Sequence, residues 1–502
     1  MASALHTLES LFQNPDEMQA TIEQLKQFRQ QLYTSIPYGA DATMDLLDAL
    51  SSNTTAHSVV ELSLNPHFRR NYKSVYDSIQ HFHQPGHAEP TAEGRQIHEQ
   101  QLMRLIGSYL PEPQQQRFWL LGIDVTSAPR RFAYTLEDRG YVYYPNAVAG
   151  NKPVTIGHQY SALVLFPEKQ QAFSPPWVVP LSLRRVTTQE TKRGVGVAQM
   201  KQLLNDETLP FHQQLCVQVA DSDYSAIFYL GEMTEHENLV IIARFRSNRV
   251  FYQMPYSGSA SPSRGHPIWY GQRFDLKAPN TWGEPDQAME VTYTSGNGHT
   301  CIVHLECWRN LLMRGTREYP MHQHPFTLIR ARLFNEAGDQ VFQRPLWLSA
   351  FGQRCRELSL QESWKAYQRR YDIEHFFRFG KRRLLMAAYQ TPEVQHEENW
   401  WQLAQLAYVQ LWLSHNLAEA MPTPWERYLP QFQTQGESHE ASPTMTQRNF
   451  SRIIQEIGTP ARVPKPRGKS PGRTRGARQK PREQQKVIKK SPVKQTKPRK
   501  AA

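Results

Sequence analysis

The spacing of apolar and polar positions divides the chain into blocks of different period. Up to about residue 114, apolar residues recur every three or four positions in LESLFQ, TIEQLKQFRQQLYTSI, TMDLLDALS, HSVVELSLN and RQIHEQQLMRLIGSYL, the period of amphipathic helices. Loops such as NPDE, PYGAD and QPGHAEP separate them. A helical N-terminal domain over residues 1–114 is predicted. Within it, HSVVELSLNPHFRRNYKSVYDSI reads as helix, turn and helix with Arg69, Arg70 and Lys73 exposed, a unit that would dock on DNA or simply belong to a bundle.

After PEPQQQ the pattern changes to strands. FWLLGIDVT is a continuous apolar run closing on Asp124, as in a buried central strand. YVYYPN and YSALVLFPEK follow as neighbours, and WVVPLSLRRV reads as an edge strand because it contains Pro180. A helix over ETKRGVGVAQMKQLLND, a second apolar run QLCVQVADSDYS closing on Asp221, a helix over AIFYLGEMTEH and the strand ENLVIIARF complete a mixed α/β layer over residues 115–246. Residues 247–343 read as a β-rich insertion of alternating segments, with Asn297 and Gly298 marking a hairpin. Residues 344–430 return to helices, among them NWWQLAQLAYVQLWLSHNLAEA, whose wide apolar stripe predicts burial. Residues 431–502 read as a linker and tail.

The net charge of +12 sits in that tail. Residues 462–500 carry sixteen Lys or Arg against the single acid Glu483, a net of +15, which leaves the first 461 residues at −3. Rich in Pro, Gly and Ser and poor in apolar residues, the tail is expected to be disordered and to bind polyanions by counterion release. No run approaches the roughly 18 apolar residues of a membrane span, and the first residues lack a basic leader and an apolar core. A cytoplasmic, nucleoid-associated protein without membrane contact is expected. Four scattered cysteines do not make a disulfide framework.

The densest chemistry lies at residues 364–385, WKAYQRRYDIEHFFRFGKRRLL. Read as one helix with Glu374 at zero, Tyr367 falls at about +20°, Arg370 at about −40°, Lys381 at about −20° and Arg378 at about +40°. One carboxylate therefore lies in a cationic strip. Two readings stand: a basic amphipathic helix packing Phe376 and Phe377 inward, or an anion that carries a metal. Asp124 and Asp221 at the ends of buried strands would face a crevice of the kind where open α/β sheets bind ligands. Three such acids suit two Mg²⁺ ions, with Mn²⁺ as a substitute, acting on a phosphodiester. Asp223 competes with Asp221, which follows the apolar run directly. Cys301, His304 and Cys307 do not make a zinc site, because His304 falls on the opposite face of a strand from both cysteines. His322 and His324 read as a loop pair.

Tyr367, Arg370, Glu374 and Lys381 spell Y-x2-R-x3-E-x6-K, which resembles the YREK signature of a large group of DDE transposases from bacterial insertion sequences. GIDVT resembles that group's first-strand D motif and VADSDY its second, in the same order, and the β-rich insertion is similar too, so the likeness covers roughly residues 115–420. The resemblance implies an RNase H-like core in which Asp124, Asp221 and Glu374 bind two divalent metals. The enzyme would cut DNA at element ends by hydrolysis and join the 3′-OH to target DNA. Tyr367, Arg370 and Lys381, with Arg378 beside them, would contact phosphates. Terminal inverted repeats and target DNA are the implied partners, and a homodimer on paired ends the implied assembly. That group also tends to use an aromatic in the insertion to hold a flipped base; Trp269, Trp282 and Trp308 lie in the insertion, but no motif picks one of them, so the role is not assigned. The alternatives are a transposase-derived DNA-binding protein without cleavage, and an RNase H-fold nuclease.

Overall fold

The computed structural model describes residues 15–86, 88, 90–145, 153–169, 174–256, 267–294, 300–420, 440–466, 472, 474–478 and 480–489. The apolar runs become the strands of one mixed sheet. β1 (Trp119–Pro129) pairs on one side with β3 (Val154–Leu165), antiparallel, and on the other with β5 (Cys216–Ala220), parallel. β6 (Leu239–Phe245) continues the parallel set beyond β5, while β2 (Gly140–Tyr143) and β4 (Val179–Val186) share the far side of β3. β4 pairs with β3 alone, leaving an edge where Pro180 is tolerated. Antiparallel β4, β3 and β1 followed by parallel β5 and β6 make an RNase H-like core with helices on both faces.

The later strands extend this sheet. β12 (Leu346–Phe351) pairs with β6, β11 (Phe326–Asn335) with β12, β10 (Thr300–Leu311) with β11 and β9 (Gln287–Thr294) with β10. Among the described residues only β7 (Val250–Tyr252) and β8 (Arg273–Asp275) form a separate pair. The expected Asn297-Gly298 turn lies outside the described residues.

Among the described residues four α-helices precede the sheet: α1 (Pro15–Ser35), α2 (Ala40–Ser51), α3 (Tyr72–Gln80) and α4 (Ala92–Gly107). α5 (Lys192–Leu204) and α6 (Ile227–Glu232) cover one face, and α7 (Leu360–Gln368), α8 (Tyr371–Arg383) and α9 (Val394–Leu413) follow β12. α9 is buried around nearly its whole circumference. Trp401 stacks on Tyr160 of β3 at 3.9 Å, while α1, α2 and α3 pack on other sides of the helix. Full burial of two tryptophans contributes roughly 4 to 6 kcal/mol each of transfer free energy. Two buried polar clusters register the layers. Glu397 pairs with Arg130 at 2.8 Å and with His158 at 3.1 Å, and accepts from the Tyr160 hydroxyl at 3.0 Å. On the opposite side Arg29 binds Asp48 and Gln410, joining α1, α2 and α9.

Three local readings change. Arg69 and Arg70 are not an exposed docking pair: both bind the buried Asp45, and both donate to the carbonyl of Arg462. The basic helix is not continuous, since α7 ends at Gln368 and α8 starts at Tyr371. After α10 (His415–Ala420), an amphipathic α11 (Pro443–Ile457) appears where a linker was expected, burying Phe450, Ile453 and Ile454. The described part of the basic tail carries neither helix nor ladder strand. It has a point of attachment that composition does not predict: the amides of Gln485 and Ile488 donate to the carbonyls of Tyr134 and Arg139, both at 2.8 Å, and Arg482 pairs with Glu393.

Candidate active site

The parallel register of β1 and β5 pairs Ile123 with Ala220, so Asp124 and Asp221 follow side by side on adjacent strands. β5 stops there, and the Asp221 carboxylate accepts from the Asp223 amide at 2.9 Å, turning the chain sharply away. β1 runs on to Pro129 along β3. α8 lies across β1 because Gly122 leaves room for it: a Cβ there would sit 2.8 Å from Ile373 Cδ1 and 2.5 Å from the Phe166 ring. Ile373 is fully buried, which fixes the neighbouring Glu374 at the rim.

The break between α7 and α8 aims consecutive arginines in different directions. Arg369 binds Asp372 at 2.7 Å and the Pro167 carbonyl at 3.0 Å. Arg370 reaches the acids, with one guanidinium nitrogen 3.4 Å from Asp124 Oδ2 and the other 3.4 Å from Glu374 Oε1. It also lies over the Tyr371 ring at 4.8 Å. Tyr367 is buried next to Arg370, and burial raises its phenol pKa while Arg370 opposes the rise. Lys381 donates to Thr126 Oγ1 at 2.6 Å and to the Ser127 carbonyl at 2.7 Å, two and three residues beyond Asp124. Burial lowers its pKa to about 8. Arg378 is exposed on α8.

The Asp124 carboxyl is raised well above the ordinary carboxylate range. Burial pushes its carboxyl up to about 6; the Val125 amide pulls it down, Asp221 pushes it up, Arg370 pulls it down and Glu374 pushes it up. Asp124, Asp221, Glu374 and Arg370 are thus brought together, with Lys381 next along β1. Among the described residues no three His, Cys, Asp or Glu side chains close around a metal ion. Glu374 leans instead towards the Arg370 fork. As a donor set the three carboxylates fit a hard divalent cation such as Mg²⁺ or Mn²⁺.

Asp223, the competing acid, faces elsewhere: Lys192, Arg193 and Arg246 surround it. Sequence reading missed this cationic group, whose only signals are the short KR and RFRSNR runs. Trp282 and Trp308 pack with Trp347 around the Arg330 guanidinium, at 4.8, 5.7 and 5.9 Å from the three rings in the order Trp282, Trp308, Trp347, with Glu306 paired to the arginine. Trp269 is partly exposed at 38% and stacks on His322 at 4.2 Å. His304 pairs with Glu290 at 3.3 Å.

Acids side by side on parallel strands of a mixed sheet, with a helix bringing cations across them, make an α/β protein whose candidate site combines carboxylates with cations. The chain belongs to the DDE superfamily endonuclease family, whose model matches residues 31–298, over half of its length. That family implies nuclease-type activity on DNA, and its enzymes use divalent metal ions. The matched span includes Asp124 and Asp221 and stops before Glu374. No curated protein matches the chain. Among the described residues, no helix is long and apolar enough to cross a membrane.

Proposed function

We propose that the protein is a DDE-type DNA transposase of the YREK group, which cleaves DNA at the ends of a mobile element and joins the freed 3′-OH to target DNA. One observation carries the reading: Asp124, midway along β1 rather than at its end as the sequence suggested, stands beside Asp221 at the end of β5, and Arg370 links Asp124 to Glu374. The same residues fill the D, D and YREK positions in order.

In this reading Asp124, Asp221 and Glu374 hold two divalent ions, Mg²⁺ or Mn²⁺. When bound, such ions lower the pKa of an attacking water or hydroxyl and neutralise charge on the leaving oxygen. The chain's own residues do the rest. Asp124 is held within the β1–β3 ladder, opposite Ala162. Arg370 screens the repulsion between carboxylates and offers its guanidinium to a phosphate, a geometry that suits planar two-point contact. Lys381, fixed by Thr126 and Ser127, provides a point charge that is mostly protonated at neutral pH. Tyr367 and Arg378 complete the phosphate contacts. The substrates are terminal inverted repeats and target DNA, handled by a homodimer on paired ends and associated with the nucleoid.

A second reading, a DNA-binding protein that keeps the fold without cleavage, draws on the orientation of Glu374 towards Arg370 and on a family match that ends before it. The test is strand transfer. Duplexes carrying the inverted repeats that flank the reading frame are incubated with protein, Mg²⁺ and a target plasmid. The transposase reading expects plasmid-joined ends from wild type and none from Asp124→Ala. Equal products from both would exclude it.

A further inference from the structure

The acid pair has cations on both sides of the sheet, and the second group has no role in the chemistry above. Gly122 faces Ile373 of α8, whereas the next residue, Ile123, faces Gly196 of α5. Arg370 and Lys381 therefore approach from one face, and the first turn of α5, with Lys192 and Arg193, approaches from the other. There the loop after β6 brings Arg246 and Arg249 to the turn after β5. The result is a cavity of about 320 Å³ lined by Arg193, Ser222, Asp223, Arg246, Asn248 and Arg249.

Its charge is not balanced. Lys192 binds the Asp223 carboxylate, Arg246 lies 3.5 Å from it and Arg193 3.6 Å, and Arg193 Nε also donates to the Asp223 carbonyl at 2.8 Å. Among the described residues Asp223 is the one carboxylate paired with these groups. Among the described residues the Arg249 side chain donates to the Ser225 carbonyl alone, at 3.5 Å. Burial first, and then Arg246 and Arg193, hold the Arg249 guanidinium below its usual pKa range. Four cations thus share one acid. Such a cluster is stabilised by a bound anion, and converging guanidinium forks match phosphate oxygens.

We propose that this pocket seats a backbone phosphate of the DNA that crosses this edge of the sheet, with Arg193 and Arg249 as its ligands, Asp223 positioning Arg193 and the Ser225 carbonyl positioning Arg249. This rests on the DNA-processing reading above. The phosphate lies one turn beyond Asp221, on the side of the sheet away from α8, so the DNA is gripped on both sides of the acids. Asp223 then serves binding geometry rather than metal ligation.

The test reads binding alone. Full-length protein is titrated with a labelled duplex of arbitrary sequence in EDTA over a range of NaCl concentrations. Wild type is compared with Arg193→Gln, Arg193→Gln/Arg249→Gln and Arg354→Gln. Arg354 is an exposed cation paired with Glu357 near Cys216, at the opposite end of β5. Each phosphate that the protein no longer neutralises flattens the slope of log K against log salt by about 0.9. The pocket neutralises one phosphate, so the double variant should flatten it by about 0.9 in total and Arg193→Gln by a part of that, with Arg354→Gln unchanged. Arg193 is partly exposed, so the single variant remains informative if the double folds poorly. An unchanged slope in the Arg193 variant, or an equal flattening in Arg354→Gln, overturns the proposal. Since no cutting is measured, failure of the nuclease reading would appear separately, as uncut DNA in Mg²⁺.

Discussion

Asp124→Asn should make the protein more stable while disabling it. The Asp124 carboxyl titrates at about 6 against an ordinary 3.8, burial being the first cause, with Asp221 and Glu374 adding to it. A rise of roughly two units corresponds to about 3 kcal/mol. Because the pKa is raised on folding, the stabilisation is full below about pH 4, where the group is protonated in both states, and is lost as pH rises through about 6. Asn is neutral throughout. In EDTA the variant should therefore match wild type near about pH 4 and exceed it by about 3 kcal/mol at about pH 8. At roughly 2 cal/mol/K of unfolding entropy per residue, a chain of this length gains about 3 °C in Tm. Circular dichroism melts at both pH values measure it. Mg²⁺ should narrow the gap at the higher pH by binding wild type preferentially. A gap that does not change with pH, or an Asn variant that is less stable at the higher pH, would refute the reasoning and mean that the pairing with Arg370 outweighs desolvation.

Three further perturbations probe other layers. Gly122→Ala places a Cβ within 2.8 Å of Ile373 and 2.5 Å of Phe166, so it should cost about 1 to 3 kcal/mol by overpacking and shift Glu374 relative to Asp124; denaturant midpoint and Mg²⁺-dependent nicking should fall together. Glu397→Ala leaves Arg130 buried without its partner and should cost about 3 to 5 kcal/mol, read as a lowered Tm and loss of soluble protein. Truncation after residue 466 keeps the Arg462 carbonyl that Arg69 and Arg70 bind and removes most of the basic tail. DNA affinity and its salt slope should fall in a filter-binding titration, while metal-dependent nicking persists.

The strands and the placing of Asp124 beside Asp221 were legible because local pattern suffices for them: FWLLGID is an apolar run up to its carboxylate, and CVQVAD is one interrupted only by Gln218. Pairing order is a different matter. That β9, β10 and β11 would extend the core sheet beyond β12 depends on contacts between segments far apart in sequence, which periodicity does not encode. The break before Tyr371 was hidden because its cause is tertiary: Arg369 turns back to the Pro167 carbonyl. α11 escaped because its buried stripe, Phe450, Ile453 and Ile454, is short and set among polar residues. Arg69 and Arg70 looked like a free basic patch until Asp45, on another helix, was seen to bind them. The same holds for the cation pocket, since Lys192 and Arg193 meet Arg246 and Arg249 only when α5 and β6 share a sheet. In Tyr367, Arg370, Glu374 and Lys381 the spacing was informative even though the helix assumed for it was interrupted.

The most direct test of the account is Mg²⁺-dependent cleavage of DNA by wild type set against Asp124→Asn, Asp221→Asn and Glu374→Gln, each checked for folding by circular dichroism. The account predicts cleavage by wild type that EDTA abolishes and Mn²⁺ restores, with each folded acid variant reduced by at least about a hundredfold, a barrier increase of about 2.7 kcal/mol. Cleavage that survives in any folded acid variant at the wild-type rate would contradict it.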